Sequence, residues 1–95
     1  MRTIHKYLLS ITDEQVVEMP IGAEILTVQT QGANSVCLWA EVDAEQPKES
    51  VTIFTYGTGH QMRDVKQRYI GTYQLNGGGL VGNGLVFHVY REVEG

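Results

Sequence analysis

The stretch EILTVQTQGANSVCLWAEV, residues 24–42, decides the fold class of this chain of 95 residues. Apolar and polar side chains alternate along its two halves, Glu24–Gln31 and Ser35–Val42, with the two-residue period of a β-strand. The three residues between the halves, 32–34, include a glycine and an asparagine, and such a loop suits a hairpin. The stretch therefore predicts two neighbouring antiparallel strands.

The same alternation assigns side chains to the two faces of each strand. It predicts that Trp39 and Tyr56 lie on the faces opposite the aliphatic side chains of their strands. Two other sets are predicted to share one face each: Leu26, Val28 and Thr30 in the first strand of the hairpin, and Tyr69, Gly71, Tyr73 and Leu75 further along the chain.

Further segments carry the same pattern and lie between turn-forming residues. They are Thr3–Leu9, Gln15–Met19, Ser50–Tyr56, Arg68–Leu75 and Leu85–Val93. At Gln15 a helical turn is the alternative, because Thr12 and Gln15 have the spacing of a capping box. The β-branched Val16 and Val17, followed by Pro20, favour a strand instead. The sequence predicts a single all-β domain over residues 1–95, a small antiparallel sandwich or barrel of about seven strands.

Composition narrows the function classes. A net charge of −4 argues against broad nucleic-acid binding, which needs clustered cationic side chains. The single cysteine, Cys37, excludes an intramolecular disulfide and suits a reducing compartment. The first ten residues lack the apolar core of a signal peptide, and no apolar run approaches the length of a membrane span. We therefore expect a cytoplasmic protein without membrane contact.

The pentapeptide Tyr56-Gly57-Thr58-Gly59-His60 concentrates candidate functional groups in a predicted loop. Its glycines permit positive φ, so that successive backbone N–H groups can form an anion-binding nest. Thr58 would add a hydroxyl, and His60 a donor or a proton carrier. Arg63 and Arg68 would add positive charge. The alternative is a turn whose glycines only satisfy backbone geometry, and the sequence leaves both interpretations open.

Aromatic side chains on the predicted strands suggest the other part of a binding site. Trp39, Tyr56 and Tyr73 would offer stacking surface for a nucleotide base if their faces are open. The alternative is that both sheet faces are buried, one of them in a subunit interface, because so small a chain has a small core. A homo-oligomer is therefore expected.

Catalytic and metal-binding patterns are weak. The three histidines, His5, His60 and His88, have no metal-ligand spacing, so neither a metal nor another cofactor is expected. Cys37 lies beside apolar residues on a strand and is interpreted as a packed thiol. The acidic segment 43–49 is best explained as a solvated loop. We expect no enzymatic activity, with nucleotide degradation by His60 as the remaining catalytic alternative.

Five sequence blocks, taken in order, resemble a family of small, uncharacterised phage and prophage proteins. They are ITDEQ (11–15), EMPIGAEILTVQ (18–29), CLWAEVD (37–43), YGTGH (56–60) and YIGTYQLNGGG (69–79). The chain departs from the family pattern where GGGLV (77–81) is followed by the similar GNGLV (82–86), which lengthens the last loop. The resemblance implies a phage context and carries no catalytic residues.

Small phage β proteins without catalytic motifs often act as binders, either of virion components or of host defence molecules. The leading hypothesis is a non-enzymatic, oligomeric binding protein that sequesters a small, nucleotide-like anionic signal in the host cytoplasm and so counters host defence. The alternative is a protein–protein interaction module, either an inhibitor of a host protein or a virion accessory. It would use the acidic loop 43–49 and the connection 61–67 as its contact surface.

Overall fold

Seven β-strands form the computed structural model, which describes residues 1–32, 35–75 and 84–94. The strands are β1 (Arg2–Leu9), β2 (Glu14–Pro20), β3 (Glu24–Gln31), β4 (Ser35–Asp43), β5 (Lys48–Gly57), β6 (Gln67–Leu75) and β7 (Leu85–Glu92). Each predicted strand is confirmed, with ends that differ by no more than two residues. Residues 33–34 of the predicted hairpin loop and 76–83 of the glycine-rich repeat lie outside the described residues.

The strands make two antiparallel sheets. The three-stranded sheet has the order β1-β4-β3, and the four-stranded sheet has the order β2-β5-β7-β6. The predicted pairing of β3 with β4 is confirmed, with Val28 opposite Leu38. The smallest dimension of the Cα trace is 16 Å, which fits two stacked sheets about 10 Å apart. The all-β, sandwich-like architecture expected from the sequence is therefore what the structure shows.

The core lies between the two sheets and draws on one face of each strand. Its largest fully buried side chains are Met19, Val36, Leu38, Val42, Ile53 and Val89. The strand alternation places Leu38 and Val42 inward in β4, and Ile53 inward in β5. Because burial of apolar area is the main favourable term in folding, these positions carry most of the stability of the sandwich.

Two β-bulges change the predicted faces of β3 and β6. The register of β3 shifts between Ile25 and Thr27, and that of β6 shifts between Tyr69 and Gly71. The extra residue in each bulge inverts the alternation on one side of it. Leu26 is therefore 49% exposed instead of facing inward with Val28, and the prediction that they share a face was wrong. Likewise, Tyr69 does not share a face with Tyr73.

Tyr73 gives the fold a predictable response to alkaline pH. Its ring is 4% exposed and lies in the core against Phe87, and burial raises the pKa of its phenol. The folded protein disfavours the ionised phenolate. The contribution of Tyr73 to stability is therefore complete below the unfolded-state pKa of about 10, and it is lost as pH rises through the folded-state pKa.

We expect Tyr73→Phe to be close to wild type at pH 7 and to lose less stability above about pH 10. Urea unfolding at a series of pH values measures this difference. Parallel pH profiles for the two proteins would contradict the assignment of Tyr73 to the core.

Candidate functional site

Polar and aromatic side chains gather on the outer face of the four-stranded sheet, which points away from the core. The pairing of β5 with β7 sets Tyr56 opposite His88 and Phe54 opposite Tyr90. The neighbouring β6 places Thr72 opposite His88 and Tyr69 opposite Tyr90. Since directly opposite residues of an antiparallel pair share a face, these side chains form one surface.

A tight turn at residues 57–60 borders this surface. The His60 N–H donates to the Gly57 carbonyl at 3.0 Å, and Gly59 has a φ of 89°. A positive φ at the third position is the signature of a type II turn and explains the glycine there. The Thr58 N–H also donates, to the Val86 carbonyl at 3.3 Å. Two of the N–H groups that an anion nest would need are thus already engaged, which favours the turn interpretation.

Gly57 has a packing role rather than a conformational one. The His60 imidazole lies so close to it that a Cβ at Gly57 would be 2.9 Å from His60 Cε1. That distance is below ordinary van der Waals contact. The absence of a side chain at Gly57 therefore lets the His60 ring fold back over the end of β5.

His88 is held from both sides at the centre of the surface. Its Nε2 lies 2.8 Å from Thr58 Oγ1, and its Nδ1 lies 3.0 Å from Thr72 Oγ1. The Thr72 hydroxyl in turn lies 2.6 Å from the Tyr69 hydroxyl. A ring with hydrogen bonds at both nitrogens has a fixed orientation, so His88 presents a defined face to any ligand.

Tyr56 anchors the connection between β5 and β6. Its hydroxyl donates to Gln67 Oε1 at 2.7 Å and accepts from the Arg63 N–H at 3.3 Å. The ring is only 6% exposed and packs edge-on against Tyr90. Tyr56 thus offers little surface for the stacking role expected of it, and its hydroxyl is committed to the fold.

Arg63 brings the positive charge of this region. Its guanidinium lies 4.9 Å from the centre of the Phe54 ring and 3.3 Å from Glu14 Oε1. Its side chain keeps 39% of its surface exposed. An exposed ion pair of this kind is weak, so Arg63 can exchange Glu14 for a ligand anion at small cost.

Two adjoining cavities open on this side of the sheet. The smaller one, about 200 Å³, is lined by Tyr56, residues 57–60, Met62, His88 and Tyr90. The larger one, about 480 Å³, is lined by Asp13, Thr55, Tyr56 and residues 60–64. Tyr56, His60 and Met62 border both. Together the walls offer imidazole, hydroxyl, aromatic and thioether groups, which suit a small ligand that has a ring and a polar group.

The structure brings together only part of the predicted site. Tyr56, Gly57, Thr58, Gly59, His60 and Arg63 lie around these two cavities. Trp39 is in β4, on the outer face of the other sheet, opposite Lys6 and Thr27. Tyr73 is in the core, and Arg68 lines a different cavity at the end of the sandwich. These three residues do not share a surface with the turn.

Three residues that line the smaller cavity were not among the predicted site residues. His88, Tyr90 and Met62 line the smaller cavity. The sequence contains part of this information, because alternation along β7 puts His88 and Tyr90 on one face and Phe87 and Val89 on the other. Their proximity to the turn depends on the pairing of β5 with β7, which the sequence does not display.

Neither a metal-ligand cluster nor a membrane-spanning helix occurs among the described residues. None of them forms a group of three or more His, Cys, Asp or Glu side chains placed to hold a metal ion. None belongs to a helix with the length and apolar character that crossing a membrane requires.

Comparison with known proteins gives one match. No curated protein and no solved structure matches the chain. One family model, described as a domain of unknown function (DUF7352), matches residues 1–95. Since the match extends over the full length of the sequence, the chain belongs to the DUF7352 family.

Proposed function

We propose that this protein is a non-enzymatic binding protein that captures a small, nucleotide-like anion at the outer face of its four-stranded sheet. The observation that carries the proposal is the fixed imidazole of His88, held at both nitrogens beside a cavity that Tyr90 and His60 also line. A preorganised ring in an aromatic-lined cavity is typical of small-molecule sites, because little entropy is lost on binding.

The two cavities suit the two parts of such a ligand. In the smaller cavity, Tyr90, Met62 and the imidazoles can contact a planar base. In the larger cavity, Arg63 and His60 can approach an anionic group. The positive charge here is small, since Glu14 pairs with Arg63 and the aspartates Asp13 and Asp64 also line the larger cavity. This arrangement disfavours a polyanion, so the proposed ligand carries a single negative charge that replaces Glu14 at Arg63.

The contacts of His88 support binding rather than turnover. Thr58 and His88 have the hydrogen bond that a hydroxyl nucleophile and its base require. However, the second nitrogen of His88 meets the Thr72 hydroxyl instead of a carboxylate. A hydroxyl gives much less stabilisation to the imidazolium that forms during nucleophilic catalysis. We therefore propose that the ligand is sequestered without being degraded.

The biological setting belongs to the same proposal. The resemblance to phage and prophage proteins favours a role in the host cytoplasm, where sequestration of a nucleotide signal would counter host defence. A homo-oligomer would multiply the sites per particle and raise the amount of signal each particle holds.

Thermal unfolding with a panel of nucleotides tests this proposal. The probes are AMP, cyclic AMP, cyclic GMP, cyclic di-GMP and ADP-ribose, each at constant ionic strength. At least one is expected to raise the melting temperature in a saturable way, and chromatography should recover it unchanged. No shift with any probe at millimolar concentration would remove the proposal, and conversion of the bound probe would reassign the protein as an enzyme.

A second candidate function rests on the opposite face of the molecule. The outer face of the three-stranded sheet carries Ile4 and Leu8 of β1, which are 58% and 70% exposed, near Trp39. Exposed apolar side chains clustered on one face are common in protein–protein interfaces. Pull-down from host lysate distinguishes the functions: a stoichiometric protein partner without a co-eluting nucleotide would favour an interaction module.

A further inference from the structure

Two arginines face each other across β6 and β7. Arg68 and Arg91 are direct register partners in this antiparallel pair. Directly opposite residues have Cβ atoms about 4.5–5.5 Å apart, and like charges in such positions are unfavourable. The fold thus places two arginine side chains side by side, where a bound anion would offset repulsion between their charges.

The pair lies at one end of the sandwich, where Arg68 is exposed and Arg91 is half-buried. Arg91 is also opposite the core residue Ile53, so both arginines are on the inner face of the four-stranded sheet. There they border a cavity of about 240 Å³, together with residues 23–25 and 69–70. This Arg68–Arg91 cleft is distinct from the outer-face cavities around His88.

None of the close ion pairs among the described residues includes Arg68 or Arg91, although Arg91 also lines a neighbouring cavity with Glu49 and Glu94. The ion pairs found there join Met1 to Asp43, Arg2 to Glu41, and Arg63 to Glu14. Arg91 makes one weak hydrogen bond, from Nε to the Glu92 carbonyl at 3.4 Å. Glu24 borders the cleft, but it is opposite Glu41, whose carboxylate binds Arg2 on the outer face of the other sheet. Its side chain therefore points away from the cleft.

We infer that the Arg68–Arg91 cleft binds a phosphoryl group. Guanidinium groups donate paired hydrogen bonds that match phosphate oxygens, and two of them can clamp one group from both sides. Ala23, Ile25 and Ile70 supply an apolar wall for the organic part of a phosphorylated molecule. The volume is several times the roughly 30 Å³ of one water, which leaves room for a phosphate and an attached group.

Calorimetric titration of the full chain with pyrophosphate, at constant ionic strength, tests the inference. The wild type should bind it saturably with one site per chain. Arg68→Gln and Arg91→Gln should each weaken binding by about tenfold or more, since each removes charge-assisted hydrogen bonds. Lys48→Gln removes the same charge from an exposed position of β5 outside the cleft and should leave the affinity unchanged.

Two further measurements separate binding from folding. Because each glutamine variant relieves repulsion, its melting temperature without ligand should equal or exceed that of the wild type. Arg68→Lys keeps the charge but loses the planar fork, and it should bind pyrophosphate more weakly than the wild type. Wild type that fails to bind pyrophosphate, or glutamine variants that bind it equally well, would overturn the inference.

The outcome is independent of the proposed outer-face function. His88→Ala should retain the affinity for pyrophosphate even if no nucleotide binds beside His88. Titration with inorganic phosphate and with AMP then distinguishes a site for the free anion from one for a phosphorylated molecule. Tighter binding of AMP than of phosphate, lost in Arg68→Gln, identifies the phosphorylated molecule as the ligand class; equal affinities identify the free anion.

Discussion

Replacing Leu38 with alanine is expected to lower the free energy of unfolding by about 3 kcal/mol, within the usual range for a buried leucine. Leu38 is 0% exposed and lies in β4, the central strand of its sheet, opposite Tyr7 and Val28. Strands on both sides hold the backbone, so the surrounding side chains cannot easily fill the cavity. A small domain is stable by only about 5–15 kcal/mol in total, so the loss is a large fraction.

Leu8→Ala is the matched control. It removes the same atoms from the adjacent strand, but Leu8 is 70% exposed on the outer face. Its expected cost is within about 0.5 kcal/mol, typical of a surface substitution. Equilibrium urea unfolding measures both variants. Comparable losses for the two would contradict the assignment of the inner and outer faces of the three-stranded sheet.

Gly71→Ala is expected to destabilise the protein by about 1–3 kcal/mol through overpacking. A Cβ at Gly71 would lie 2.9 Å from Val28 Cγ1, and within 4 Å of the Val28 backbone. Val28 is buried and β-branched, so its side chain has little freedom to move. The missing side chain at Gly71 is thus what allows β3 and β6, edge strands of the two sheets, to approach each other.

Gly57→Ala provides a control with the same contact distance. Its new Cβ would also meet an atom at 2.9 Å, but that atom belongs to the exposed His60 ring, which can rotate away. Its cost should therefore be smaller than that of Gly71→Ala. In addition, Val28→Ala should reduce the penalty at Gly71, which gives a favourable coupling energy in a double-mutant cycle. Additive effects would show that the two strands do not touch at this point.

The strands and most of their faces follow from the sequence because the two-residue period is strong in β4, β5 and β7. In β3 and β6 the faces were wrong around Leu26 and Ile70. A bulge adds one residue without any change in composition, and the extra residues, Leu26 and Ile70, are apolar like those that face the core. Bulges are common on edge strands, so the edge positions of β3 and β6 could have indicated them. The sequence does not show the order of the strands in a sheet, so these edge positions could not be predicted.

The candidate site was predictable only where its residues are close in the chain. Residues 57–60 and Arg63 lie together because they belong to one turn and the connection that follows it. Trp39 was grouped with them by its amphipathic strand, but β4 belongs to the other sheet. His88 and Tyr90 join the site through the pairing of β5 with β7. Such long-range pairing depends on the packing of the whole chain and leaves no local pattern.

Ligand-induced stabilisation of His88→Ala and Trp39→Ala, compared with wild type, tests the central claim most directly. Each protein is titrated with the nucleotide that gives the largest shift, and the gain is measured against its own unliganded state. At a hundredfold excess over Kd, wild type and Trp39→Ala should each gain about 2.7 kcal/mol. His88→Ala should gain almost nothing at the same concentration. An undiminished gain in His88→Ala, or no gain in wild type, would contradict a binding site on the outer face of the four-stranded sheet.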